Sequence, residues 1–202
     1  MVKLVALVLV SLTAVASAEA LQPDEYVEAE PEPNPAFNMF GFRFSAGALP
    51  IDGSRTVVLS VGLGVEHPVF KKTRVFGDYE WLWLSRVDER DINSVVPRPE
   101  RHGNGHRTSL GLRRELVGKR LGSTVRMFID GEVGANVALV NDNMTGVAFL
   151  PGALGGLRFG YDVYSRSDSS PSRTFEAEVL VRAIAIQHGA GALLGVGMFW
   201  GN

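Results

Sequence analysis

The sequence predicts an all-β chain, an antiparallel up-and-down transmembrane β-barrel of about eight strands. Three observations carry that expectation. From Ala36 onward the dominant hydrophobic period is two, and eight such runs follow one another between turn-like residues. The stretch RTVVLSVGLGVEH (55–67) then shows the character of the strands: Val57, Leu59, Val61, Leu63 and Val65 share one face, while Ser60, Gly62, Gly64 and Glu66 share the other. Finally, beyond its first residues the chain has no run of roughly 18 apolar residues, so it can enter a membrane only as a closed barrel.

The chain of 202 residues is long enough for one domain with a sizeable core. It opens on MVKLVALVLVSLTAVASAEA, with Lys3 the only charge before Glu19 and the small-x-small triplet Ala16-Ser17-Ala18. A basic start, a short apolar run and that triplet predict a secretory signal peptide over 1–18. Residues 19–35, EALQPDEYVEAEPEPNP, hold six acids, four prolines and no base, too little apolar surface to fold. They are expected to form a disordered acidic leader, with a basic periplasmic partner as its candidate ligand. Setting aside Lys3 and the six leader acids, the formal charge of −2 becomes +3 for residues 36–202, which gives no nucleic-acid footprint. The chain has no cysteine, so it can form no disulfide and no cysteine-linked lipid anchor.

The eight runs are expected at about 37–49, 55–67, 73–87, 106–117, 123–140, 147–164, 173–187 and 191–200. In the first, Phe40, Phe42, Phe44, Ala46 and Ala48 oppose Gly41, Arg43, Ser45 and Gly47. In the third, Val75, Tyr79, Trp81 and Trp83 oppose Asp78 and Glu80; in the fourth, Leu110 and Leu112 oppose Gly111, Arg113 and Glu115. The fifth sets Val125, Met127, Ile129, Val133 and Val137 against Arg126, Asp130, Glu132 and Asn136. In the sixth, Leu157, Phe159, Tyr161 and Val163 face away from Arg158, Gly160 and Asp162, and Leu150-Pro151-Gly152 is a candidate break. The seventh mixes Leu180 and Ile184 with Glu176, Glu178 and Arg182, and the eighth sets Leu194, Val196, Met198 and Trp200 against Gly195, Gly197 and Phe199.

A soluble barrel would bury the valine row; a membrane barrel would turn it outward. Two features favour the second. The polar row carries arginines and acids, with Lys71, Lys72 and Lys119 falling in expected turns, and a narrow lumen favours Arg–carboxylate pairing. Aromatics, among them Phe40, Phe42, Trp81, Trp83, Tyr161 and Trp200, gather near run ends, as in the interfacial girdles of membrane barrels.

The polar rows yield one candidate site. Arg43, Asp78, Glu80, Arg113, Glu115, Arg126, Asp130, Glu132, Arg158, Asp162, Glu176, Glu178 and Arg182 would all face the lumen. An eight-stranded interior is just wide enough for side chains to fill, so a salt-bridge plug is expected rather than a catalytic cleft. Histidine chemistry finds little support: His106 and Ser109 are three apart and so on opposite faces of a strand, and His102 and His106 in HGNGH read as a solvent loop. No cofactor or metal site is expected.

In this pattern of faces, residues 36–202 resemble the small eight-stranded outer-membrane barrels, the class of the OmpA membrane domain and OmpX. The resemblance implies short periplasmic turns, here GKRLG at 118–122, and longer outer loops, here 88–105. It implies outer-membrane lipid and the outer-membrane assembly machinery as partners, in a bacterium of the Gram-negative type. The chain departs from the class in running two residues past Trp200, where that class ends on an aromatic. The expected function is a non-enzymatic barrel with a charge-filled lumen, serving envelope structure or contacts through its loops. The alternatives are a soluble periplasmic lipocalin-like barrel with an apolar ligand, and an outer-membrane lipid-modifying enzyme, whose His-x-Ser pair this sequence replaces by His106 and Thr108.

Overall fold

A computed structural model describes residues 38–51, 54–70, 72–86, 101–122, 124–143, 146–164, 173–187 and 189–201. The signal peptide, the acidic leader, most of the 88–105 loop and the 165–172 connection lie outside the described residues. Eight strands run in chain order: β1 (Met39–Ile51), β2 (Ser54–Phe70), β3 (Thr73–Arg86), β4 (Arg101–Arg120), β5 (Val125–Asp142), β6 (Gly146–Tyr164), β7 (Arg173–Ile186) and β8 (Gly189–Gly201). Each pairs antiparallel with its sequence neighbours, and β8 closes on β1, so the barrel has no free edge.

The register fixes the barrel's shape. Paired residues lead from Ala48 through Ala192, Ala183, Gly155, Val133, Leu112 and Val75 to His67. His67 lies one step past the Glu66–Met39 pair, opposite position 38, so one circuit returns ten residues from its start. A shear of that size over eight strands corresponds to a tilt near the upper end of the usual range of about 35–45°. At that tilt about 9–11 residues cross a bilayer, and every strand here is longer than that.

The sixth run is one strand as expected, the alternative of a break is closed, and two expectations about β4 change. Pro151 does not break β6. It pairs with Val137 of β5, and the pairing of β6 with β7 starts only at Gly152, so the proline sits where β6 has no neighbour on its second side and its missing N–H costs no ladder bond there. HGNGH is not a loop: β4 begins at Arg101, and His102 pairs with Ser85 as β3 and β4 continue upward together. Its glycines face inward, and a Cβ on Gly105 would stand 2.6 Å from the Leu139 carbonyl oxygen. At its other end β4 runs on to Arg120, so Lys119 belongs to a strand and the turn moves to 121–124.

The faces are inside out relative to a soluble barrel. The valine row faces outward, with Leu59 and Leu63 more than half exposed, while Ser60 and Glu66 are buried. The interior has two stacked halves. Toward the end that carries the chain termini it is charged. Toward the other end it is apolar, filled by Leu49, Ile51, Val58, Leu82, Leu84, Val140, Leu150, Leu154, Ile184, Ile186 and Leu193. Charge therefore fills only part of the lumen, a correction to the sequence reading.

Candidate functional site

Alternation along tilted strands brings the charged side chains of β1 to β7 onto one narrow axis, where burial forces each to find a partner. Arg158 lies at the centre. Its guanidinium reaches Asp130 at 2.7 Å, Glu66 at 2.7 Å and Glu176 at 3.0 Å, and it also bonds Glu178. Sharing Glu178 with it, Arg43 bridges Asp78 at 2.5 Å and Glu178 at 2.5 Å. Arg182 donates to Glu132 at 2.6 Å and to Asp78 at 3.0 Å, and Arg113 reaches Glu132 at 3.0 Å and pairs with Glu66. The uppermost pair is Arg107 with Glu80, whose Nε–Oε2 distance is 2.7 Å. Ser60 donates to the same carboxylate at 3.0 Å.

The thirteen positions read from sequence all turn inward, though not to equal depth. Asp162 and the Glu115–Arg126 pair sit at the lower mouth, where Asp162 bonds Arg173 at 2.5 Å. Four members were missed: Glu66, Arg74, Arg107 and Arg173. Glu66 had been placed on the polar row of its run but not carried into the site, and Arg74 and Arg107 were in phase with Asp78 and Arg113 and could have been found by extending those rows. Arg173 could not. It sits beside the register shift at Val163/Tyr164, which breaks the alternation that would have announced it.

Three phenylalanines share the charged half. Arg113 lies 4.0 Å from the Phe76 ring centre, Arg43 5.1 Å from Phe199 and Arg158 5.2 Å from Phe128. Each ring packs over a glycine of a neighbouring strand; a Cβ on Gly41 would stand 2.5 Å from Phe199 Cγ and 2.2 Å from the Met198 carbonyl oxygen. Guanidinium planes thus rest on ring faces, which supply attraction without competing for the carboxylates.

Arg158 also decides what the acids can do. Ligand oxygens of Glu66, Glu176 and Glu178 lie within 4.8 Å of one another, a spacing that could hold a cation. The Arg158 Nη1 already bonds all three. The trio is an arginine site.

On the outer face, the sequence-assigned aromatics form two clusters at opposite ends. At the terminal end Phe42, Trp200, Phe175 and Tyr161 follow one another with ring centres 5.8–6.2 Å apart, beside exposed Phe40. Toward the other end Trp81 stacks on Trp83 at 6.4 Å, and His106 lies 5.3 Å from Trp81 while sharing a 2.7 Å hydrogen bond with the Tyr79 hydroxyl. His106 thus belongs to this cluster on β4, and Ser109 faces the lumen on the opposite side.

A closed eight-stranded antiparallel barrel, ion-paired within and apolar without, defines a class by its own physics: the transmembrane β-barrel. No protein-family model matches the chain, and no curated protein does. Among solved structures it is similar to Neisserial surface protein A, with 12% identity, a TM-score of 0.47 and coverage of 81% of this chain and 96% of that one. It is also similar to the N-terminal β-barrel domain of Pseudomonas aeruginosa OprF (13% identity, TM-score 0.45, coverage 82% and 97%). Ail of Yersinia pestis, the attachment invasion locus protein, follows at 10% identity and a TM-score of 0.44, with coverage of 82% and 98%.

Proposed function

We propose that this chain is a non-enzymatic, non-conducting barrel of the bacterial outer membrane, reached after cleavage of residues 1–18, whose role is envelope structure or contact through its outer loops. One observation carries the reading. The lumen is closed twice, first by the arginine–carboxylate lattice and then by the apolar half above it. An ion would have to part buried pairs and then cross a dry layer, and each step is expensive. An apolar ligand of the lipocalin kind would have to displace side chains buried inside, and the valine row that would line its pocket lies outside. For a hydrolase of the lipid-modifying kind, His106 already bonds Tyr79 and shares its face with Thr108, not Ser109.

Fractionation and planar-bilayer recording test this together. The protein is expected in the outer-membrane fraction and, once inserted, to show no steady conductance. Recovery as a soluble periplasmic protein, or a reproducible open channel, contradicts the reading.

A further inference from the structure

The terminal end of the barrel is not uniform around its rim. On the side of β6, β7, β8 and β1 it carries the aromatic cluster Phe42, Trp200, Phe175 and Tyr161, and Arg173 there is turned onto Asp162 and Glu176. On the side of β2 to β4 the surface differs. Exposed Lys72 and Lys119 gather there beside Arg114 and Arg120, the last lying over the Tyr164 ring, and no exposed carboxylate stands with the two lysines among the described residues. Backbone pairing brings these cations together: Thr73 pairs with Arg114, and the Glu115 N–H donates to the Lys72 carbonyl at 2.9 Å. Phe70, Val117 and Leu121 stand among them at 76%, 56% and 55% exposure.

Such a surface has an apolar wall continuous with the outer face, with cations just beyond it. Its complement is a molecule with hydrocarbon chains and an anionic head. We propose that this rim binds an anionic glycerophospholipid of the membrane's inner leaflet. Its phosphate would lie on Lys72 and Lys119, and its chains against Phe70, Val117 and Leu112. The inference rests on the membrane reading above. Among the described residues the rim opposite carries no exposed Lys or Arg, so the contact is expected to be one-sided. A cation near an anionic lipid surface contributes about a factor of five in association.

The test uses the full chain in phosphatidylcholine vesicles, with spin-labelled phosphatidylglycerol or spin-labelled phosphatidylcholine as probe and the motionally restricted fraction as readout. Phosphatidylglycerol is expected to associate at least about fivefold more strongly, and the Lys72→Gln, Lys119→Gln variant to bring the two lipids close to parity. A Thr174→Gln variant on the opposite rim should keep the preference and controls for folding. Equal association of both lipids with inserted wild-type protein overturns the proposal while leaving the membrane reading intact; failure to insert at all overturns that reading instead. A preference that appears only after removal of residues 19–35 also overturns it, because the acidic leader would then be the rim's occupant.

Discussion

Replacing Arg158 by methionine tests the lumen where it is most tightly connected. The side chain is fully buried and meets four carboxylates; methionine keeps most of its bulk and removes the charge. Three of the four keep a close partner: Glu66 has Arg113, Glu178 has Arg43, and Glu176 has Arg173. Among the described residues Asp130 is left with Arg74, at 3.7 Å. Breaking a buried pair costs roughly 3–5 kcal/mol. A second route to the magnitude agrees. The orphaned carboxylate can take a proton instead, and protonating an aspartate of ordinary pKa near 3.9 at pH 7 costs about 4 kcal/mol, at about 1.4 kcal/mol per pH unit. The penalty is thus capped near 4 kcal/mol and must shrink as pH falls, to about 1.5 kcal/mol at pH 5, because the proton becomes easier to acquire.

The measurement is equilibrium urea unfolding in detergent micelles, followed by tryptophan emission, for the wild type, Arg158→Met, Asp130→Asn and the double variant at pH 7 and pH 5. Arg158→Met should be strongly destabilised at pH 7. The double variant should recover most of the loss, since a pair removed as a unit costs far less than half a pair. An unmoved midpoint at pH 7, or a penalty that grows on acidification, would refute the paired lattice.

Two further outcomes follow from the faces of the strands. Trp81, Trp83 and Trp200 are the only tryptophans, and each is about half exposed on the outer wall. Brominated acyl chains should therefore quench most of the emission, and Trp81→Phe, Trp83→Phe should leave only the share due to Trp200; unquenched emission would put the indoles inside the protein. Gly41→Ala should cost more than about 3 kcal/mol or prevent folding in the same urea assay, since Phe199 is fully buried and the Met198 carbonyl belongs to the β1–β8 ladder. A variant as stable as wild type would show the barrel wall to be softer than its register implies.

Much of this was legible in the alternation of side chains. Strand number, order and the outward valine row needed only a period of two, because burial on one side of a closed sheet fixes the register of every strand. What alternation could not give was position along the axis. Leu82 and Leu84 continue the row of Asp78 and Glu80, and Leu49 and Ile51 continue that of Arg43, yet the row was read by its charges alone. The apolar half of the lumen was therefore present in the sequence and passed over. The β4 boundaries failed for another reason. Glycine, asparagine and histidine are turn-like by composition, but here β4 is paired with both β3 and β5, and the inward glycines let neighbouring backbones approach while the polar residues face outward.

The two halves of the lumen solve one problem by different means. A narrow barrel must fill its axis, since an empty one would admit water and a single unpaired charge would be costly. Apolar side chains fill space without directional demands, which suits the end where strands differ in length and β6 outruns β7. Arginine lattices demand directional partners, and the end near the termini supplies them from seven strands at once: Arg158 of β6 meets acids from β2, β5 and β7. Only the correct register of all four strands satisfies that guanidinium. A slip of one residue in β5 would turn Asp130 and Glu132 outward together and take one carboxylate partner from each of Arg158, Arg113 and Arg182. The charged half thus specifies which barrel forms, and the apolar half contributes burial that would tolerate several.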